Sequence, residues 1–113
     1  MMNKPVILIT GSSRGIGAST AILAAEHGWH PILHGRTDST FLNDIAEKLN
    51  APKIFGDIAN QKEIHVAIEQ AHKIYGRIDA LVNTAGIVKP RPFLELTEEN
   101  CADEYRTNIL GTI

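Results

Sequence analysis

The chain lacks the features that mark several classes of protein. It has one cysteine, Cys101, so no disulfide can form within it, and a reduced, cytoplasmic setting is the simpler expectation. It has no apolar run of the roughly 20 residues that a membrane-spanning helix needs. The run Val6-Ile7-Leu8-Ile9 follows directly on Met1-Met2-Asn3-Lys4-Pro5 and has neither the length nor the small-residue cleavage pattern of a signal peptide. There is no excess of either charge: 11 Lys and Arg against 13 Asp and Glu leave a formal net charge of −2. The basic residues are scattered, which argues against nucleic acid or an anionic membrane as a partner. Internal repeats, low-complexity tracts and linker-like stretches are also missing. With 113 residues, one domain at most is expected, with a modest core.

What the chain does contain is an alternation of strand-like and helix-like segments. Val6-Ile7-Leu8-Ile9 is continuously apolar, as in a strand covered on both faces. A glycine-rich turn, Gly11 to Gly17, leads into a helix running to about His27, with Ile16, Leu23 and Ala24 at helical spacing and Gly28 closing it. Ile32-Leu33 centres a second strand, with Pro31 at its start, where a missing N–H is tolerable. Ser39 or Thr40 can cap a helix that carries Leu42, Ile45, Ala46 and Leu49 on one face. Lys53-Ile54-Phe55 is the third strand. The next helix places Ile64, Ile68, Ala71 and Tyr75 at helical spacing and ends near Gly76. Ala80-Leu81-Val82 is the fourth strand; after it come a Pro-containing loop, Lys89 to Pro92, and a last helix opened by Thr97. Strands alternating with helices in this way predict an α/β fold: a doubly wound parallel sheet with ligands at the carboxyl ends of its strands.

The strongest motif is Thr10-Gly11-Ser12-Ser13-Arg14-Gly15-Ile16-Gly17, directly after the first strand and directly before the first helix. That context turns a glycine pattern into a candidate phosphate site rather than an ordinary turn. Gly11 permits the tight turn, Gly15 lets backbone approach a pyrophosphate, and Gly17 lets the helix pack closely. The helix N-terminus offers free N–H groups and a positive dipole end.

The spacing, G-x-x-x-G-x-G, resembles that of the short-chain dehydrogenase/reductase family. Three further segments carry the resemblance in the family's order: Asp57-Ile58 after the third strand, Asn83-Thr84-Ala85-Gly86 after the fourth, where the family has Asn-Asn-Ala-Gly, and Thr107-Asn108-Ile109-Leu110-Gly111. The resemblance implies a Rossmann-type domain whose cofactor contacts include Gly11, Ser12, Ser13, Arg14, Gly15, Ile16 and Gly17. It implies an adenine contact at Asp57 with Ile58 beside it, and a segment near the cofactor at Asn83, Ala85 and Gly86. Asn108 matches the family's active-site asparagine, which helps place a lysine through a bound water. The implied activity is an oxidoreductase acting on a small-molecule carbonyl or alcohol, working as a homo-oligomer at full length. Reductases of the 3-oxoacyl-acyl-carrier-protein type and sugar or polyol dehydrogenases are both compatible with these motifs.

Cofactor choice can be read after the second strand, at His34-Gly35-Arg36-Thr37. An acidic side chain there would hydrogen-bond the ribose 2′-hydroxyl of NAD. Gly35 stands in that place and Arg36 follows, and a guanidinium suits a 2′-phosphate. Arg14 can contribute from the glycine turn. NADP(H) is therefore favoured over NAD(H), although a one-step change of register would bring Asp38 toward the ribose.

The family's catalytic Ser and Tyr-x-x-x-Lys pair are not in this sequence. Tyr75 is followed four residues on by Asp79 and Tyr105 by Ile109, so both tyrosines read as packing or surface residues. Residues 1–113 are thus expected to be the N-terminal part of one NAD(P)-binding domain, truncated after about four strands, without the catalytic half and inactive alone. A non-catalytic nucleotide sensor or an assembly module is the alternative, since an open sheet edge invites association. No metal site is expected: His65, Glu69 and His72 share a helical stripe but flank the apolar face. Cys101 has no evident His partner and reads as a buried or half-buried structural thiol. Phe93 and Leu94 either line a substrate mouth or anchor their loop.

Overall fold

The computed structural model describes residues 4–87 and 90–113; Met1, Met2, Asn3 and Lys89 of the segments above lie outside these. Four parallel strands, β1 (Val6–Thr10), β2 (His30–Gly35), β3 (Lys53–Phe55) and β4 (Ala80–Asn83), form one sheet in the order β3-β2-β1-β4. Val6 lies opposite His30, and Ile7 opposite Ala80. The chain therefore winds one way through β1, β2 and β3, then returns to the other side of β1 for β4. The direction of winding reverses between β1 and β4, and in sheets of this kind the crevice at such a reversal is where ligands sit.

The helices are α1 (Gly15–Glu26), α2 (Thr40–Leu49), α3 (Gln61–Tyr75) and α4 (Glu98–Tyr105). Alternate residues of β1 feed two cores. Ile7 and Ile9 pack with Leu33, Ala21, Leu42, Ile45 and Ala46 beneath α1 and α2. Val6 and Leu8 pack with Ile32, Ile54, Ala67 and Ala71 beneath α3. Burying one such aliphatic side chain stabilises the fold by about 1.5–3 kcal/mol, so these two layers hold the sheet. Pro31 fits for a directional reason. His30 donates to Pro5 on the β1 side and Leu33 to Pro52 on the β3 side. Pro31 thus addresses the β3 side, before β3 begins opposite Leu33.

Local chemistry sets the helix ends. Trp29 donates to Ala24 and Gly28 to Ala25, with Gly28 at φ +86°; this is a Schellman closure with glycine one residue past the cap. Ser39 accepts the Leu42 N–H, Asn60 those of Lys62 and Glu63, and Thr97 and Asn100 form a reciprocal capping box. Gly76 ends α3 at φ +74°.

The structure corrects three sequence expectations. Ile16 and Leu23 do not form the inner face of α1: they are 79% and 56% exposed. Gly17 and Ala21 are buried instead, with Ala18, Ile22 and Ala24 packed against the core, because α1 approaches the glycine turn at Gly17 so closely that a Cβ there would strike the Gly11 carbonyl. On α3 Ala71 is buried and Ile64 packs against the core as expected, but Ala67 completes the inner face in place of Ile68 and Tyr75, which are each 37% exposed; Tyr75 stacks on His30 at 4.7 Å. Cys101 is exposed, since α4 buries no residue and runs directly into a π turn, Arg106–Leu110. Phe93 and Leu94 occupy an exposed 3-10 turn. Among the described residues no helix is long and apolar enough to cross a membrane, and no group of three His, Cys, Asp or Glu side chains is placed to hold a metal.

Candidate functional site

The carboxyl ends of all four strands open on one cleft of about 410 Å³. Of the residues singled out from sequence, Gly11, Ser13, Arg14, Arg36, Asp57, Ile58, Ala85 and Gly86 line it. They come from four separate chain segments, and the parallel topology is what brings them together.

One wall is the turn from β1 into α1. Here α1 differs from α2, α3 and α4: Arg14 at its cap position makes no side-chain capping bond, whereas each of the others is capped by a side chain. The first helical bond, Ala18 N–H to Arg14, is long at 3.4 Å. The N–H groups of Gly15, Ile16 and Gly17 are the donors that a helix leaves unmatched at this end, and a pyrophosphate is a group suited to receive them. Gly15 has φ +63°, and a Cβ built on it meets nothing within 4 Å, so the space beside it is clear. Gly17 is the opposite case. A Cβ there would collide with the Gly11 carbonyl and approach the Thr84 hydroxyl at 2.7 Å. The Arg14 guanidinium lies 5.3 Å from the centre of the Phe41 ring, a cation–π geometry that carries it across the mouth toward α2.

The opposite wall carries the charged pair. Arg36 Nη2 lies 3.6 Å from Asp57 Oδ2. The Asp57 Oδ1 accepts the Ala59 N–H at 2.9 Å, and the Asp57 N–H donates to Glu63 at 3.3 Å, so Asp57 also shapes the turn after β3. Asp38 is turned away from the cleft and pairs with Lys53 at 2.9 Å. That contact, together with the Ser39 cap, sets the register that leaves Gly35 and Arg36 at the mouth.

Other expected contacts lie elsewhere. Ser12 is fully buried, and the Ile16 side chain, with Gly15 beside it, lies on the outer side of α1, leaving only its backbone N–H at the helix end. Asn83 ends β4 opposite Thr10. Asn108 clamps Ile87: its Oδ1 accepts the Ile87 N–H at 2.7 Å and its Nδ2 donates to the Ile87 carbonyl at 2.8 Å. This ties the π turn to the segment after β4.

Two residues that organise the cleft were not singled out as site residues from sequence. Thr84 donates through Oγ1 to the Thr10 carbonyl and through its backbone N–H to Thr10 Oγ1, locking the ends of β1 and β4 together. His34 lines the cleft from β2 and is 2% exposed. Its Nδ1 accepts the Gly11 N–H at 3.0 Å and its Nε2 donates to the Gly56 carbonyl at 2.8 Å. Burial holds the imidazole below the ordinary histidine range, although the Gly56 carbonyl and the Asp57 charge act in the other direction.

Residues 5–113 match the family model described as short chain dehydrogenase. The chain is 31% identical over 115 aligned positions to a 3-oxoacyl-acyl-carrier-protein reductase of Staphylococcus epidermidis, covering 97% of this chain and 47% of that protein. It is 36% identical to an uncharacterised oxidoreductase of Staphylococcus saprophyticus, covering 96% and 45%. Among solved structures, a 3-ketoacyl-(acyl-carrier-protein) reductase from Brucella melitensis in complex with NADH superimposes with a TM-score of 0.87 at 29% identity, covering 96% of this chain and 45% of that one. The Rossmann-type α/β fold is shared with that enzyme. The chain spans about half the length of the relatives it matches.

Proposed function

Because the chain belongs to the short-chain dehydrogenase family, we propose that residues 1–113 are the dinucleotide-binding part of an NADP(H)-dependent oxidoreductase acting on a small-molecule carbonyl or alcohol. The observation that carries this reading is the missing side-chain cap at the N-terminus of α1, whose cap residue Arg14 lines the cleft, where α2, α3 and α4 are each capped by a side chain. The free N–H groups of Gly15, Ile16 and Gly17 would hold the pyrophosphate. Asp57 and Ile58 would hold the adenine end, with Ala85 and Gly86 along the floor. Preference for NADP(H) is supported by Arg36 at the mouth, Gly35 where an acid would favour NAD, and Asp38 engaged with Lys53.

When bound, the nicotinamide supplies or accepts the hydride. The residues of this chain bind and orient it, and Asn108, through Ile87, fixes the segment beside it. No Tyr-x-x-x-Lys pair is present in these 113 residues, so on this reading they bind the dinucleotide without turning over substrate. The whole protein is read as a cytoplasmic reductase or dehydrogenase. The test is a nicotinamide-fluorescence titration of the intact protein with NADPH and NADH, followed by NADPH consumption with a carbonyl panel that starts from 3-oxoacyl thioesters. Tighter binding of NADPH and carbonyl-dependent oxidation support the reading. Failure to bind either dinucleotide refutes it.

A further inference from the structure

His34 is the next-to-last residue of β2, and three elements meet on it. Its Nδ1 accepts the N–H of Gly11, the first residue of the glycine turn, at 3.0 Å. Its Nε2 bonds the Gly56 carbonyl, at the end of β3, at 2.8 Å. Its backbone N–H donates to Ser12 Oγ at 2.8 Å, and its carbonyl accepts the Ser12 N–H at 2.8 Å. A backbone N–H can only donate and a carbonyl can only accept. The two ring contacts are therefore satisfied together by one form alone, the neutral imidazole with its proton on Nε2. A buried packing histidine would need no such agreement between its two nitrogens and the backbone of two different strand ends.

We propose that His34 is a positioning residue for the dinucleotide: its neutral imidazole holds the Gly11 N–H, and through it the turn from Gly11 to Gly17, in the form that receives the pyrophosphate, and protonation releases that turn. This rests on the reading of the turn as the pyrophosphate site. Protonation puts a second N–H on the ring, at Nδ1, directly against the Gly11 N–H. Two donors then face each other inside the sheet with no acceptor between them. Gly11 must swing away, and the turn that follows it moves as well.

The charged groups around His34 do not remove the conflict. Asp57, after β3, favours the charged ring but is itself engaged by Ala59 and Arg36. From α3 comes Glu63, bonded to the Asp57 N–H, with Lys62 exposed beside it. Arg14 and Arg36 both line the cleft and oppose a further positive charge. β1 and β4 contain no titratable residue, and α2 meets the sheet through Leu42, Ile45 and Ala46. Burial outweighs the rest and keeps the ring neutral at neutral pH.

The experiment compares the intact protein with H34N and H34L. Asparagine places an oxygen where Nδ1 stands and does not titrate, whereas leucine offers no acceptor. Affinity for NADH is read by nicotinamide fluorescence at about pH 8 and about pH 5, with NADH chosen because it lacks the 2′-phosphate that itself titrates near pH ~6. The unsubstituted protein should lose at least about fivefold in affinity on acidification, H34N should change by less than about twofold, and H34L should bind at least about tenfold more weakly at both values. In the ligand-free protein, the Gly11 amide resonance should move with the imidazole titration. Thermal melts report whether each variant folds; if H34L does not, the pH profiles of H34N and the parent decide. The same pH dependence in H34N and the parent, or wild-type affinity in H34L, overturns the role of His34 and leaves the pyrophosphate reading standing. No binding by the parent at about pH 8 overturns both.

Discussion

Arg36 and Asp57 reach toward each other from the carboxyl ends of neighbouring strands, with Nη2 3.6 Å from Oδ2. The arginine side chain is 72% exposed and the aspartate 27%. A pair this open is worth roughly 0–1 kcal/mol, so the guanidinium is held near the mouth without being committed there. A 2′-phosphate carries more charge than a carboxylate and presents more acceptors, so it should draw Arg36 away from Asp57.

Arg36→Ala should therefore weaken NADP(H) by at least about tenfold, the equivalent of a lost charge-assisted hydrogen bond of about 1.5–3 kcal/mol, and barely change NAD(H). Dissociation constants for both cofactors by fluorescence titration check this. Equal losses would mean that Arg36 does not read the phosphate. Gly35→Asp in that background should shift preference toward NAD(H).

Asp57 has two jobs to separate. It caps its own turn through Ala59, and on the present reading it also meets the adenine. Asp57→Ala should weaken the complete dinucleotide while leaving the affinity of nicotinamide mononucleotide unchanged. If both ligands lose equally, Asp57 shapes the turn and does not touch the adenine.

Ser12, inside the glycine turn, is fully buried and accepts the His34 N–H at 2.8 Å. Ser12→Ala leaves that N–H without its acceptor, at a cost of about 1–3 kcal/mol. Urea unfolding should show a lower midpoint with an unchanged slope. An unchanged midpoint would mean that the bond contributes nothing net.

Much of this was legible in the sequence because the deciding chemistry was local. The glycine turn, the Ser39 cap, the strand Lys53–Phe55 and the Gly76 stop each depend on a few adjacent residues, and the structure has them where the sequence placed them. The inner face of α1 was misread because apolar spacing points to Ile16 and Leu23, whereas the close approach at Gly17 admits only small side chains. Cys101 was misread because burial depends on what packs against α4, which its own sequence does not state. His34 was invisible as a site residue for a similar reason. Its partners Gly11 and Gly56 are 23 and 22 positions away in the chain, and nothing local sets its tautomer.

His34 also makes stability depend on pH in a definite direction. Its folded-state pKa lies below the ordinary value of 6.5, so below that value the unfolded chain binds a proton that the folded one refuses. Stability from this group is complete above about pH 6.5 and declines as the pH falls toward the lowered folded-state value. Thermal melts between about pH 8 and about pH 5 should show this decline, and H34N should reduce it. An identical profile in H34N would assign the acid sensitivity to other groups.

If the turn from Gly11 to Gly17 receives the pyrophosphate of a nicotinamide dinucleotide, Gly15→Val should remove the binding. Valine adds bulk where the structure leaves clear space and is strained at φ +63°. Gly28→Val, at φ +86° beyond the far end of α1, imposes similar strain away from the cleft and serves as the control. In a fluorescence titration of the intact protein with NADPH, Gly15→Val should lose about a hundredfold or more in affinity, as expected when several phosphate hydrogen bonds are lost together, while Gly28→Val binds like the parent despite a comparable fall in melting temperature. NADPH affinity unchanged in a folded Gly15→Val protein would mean that the turn does not hold the pyrophosphate.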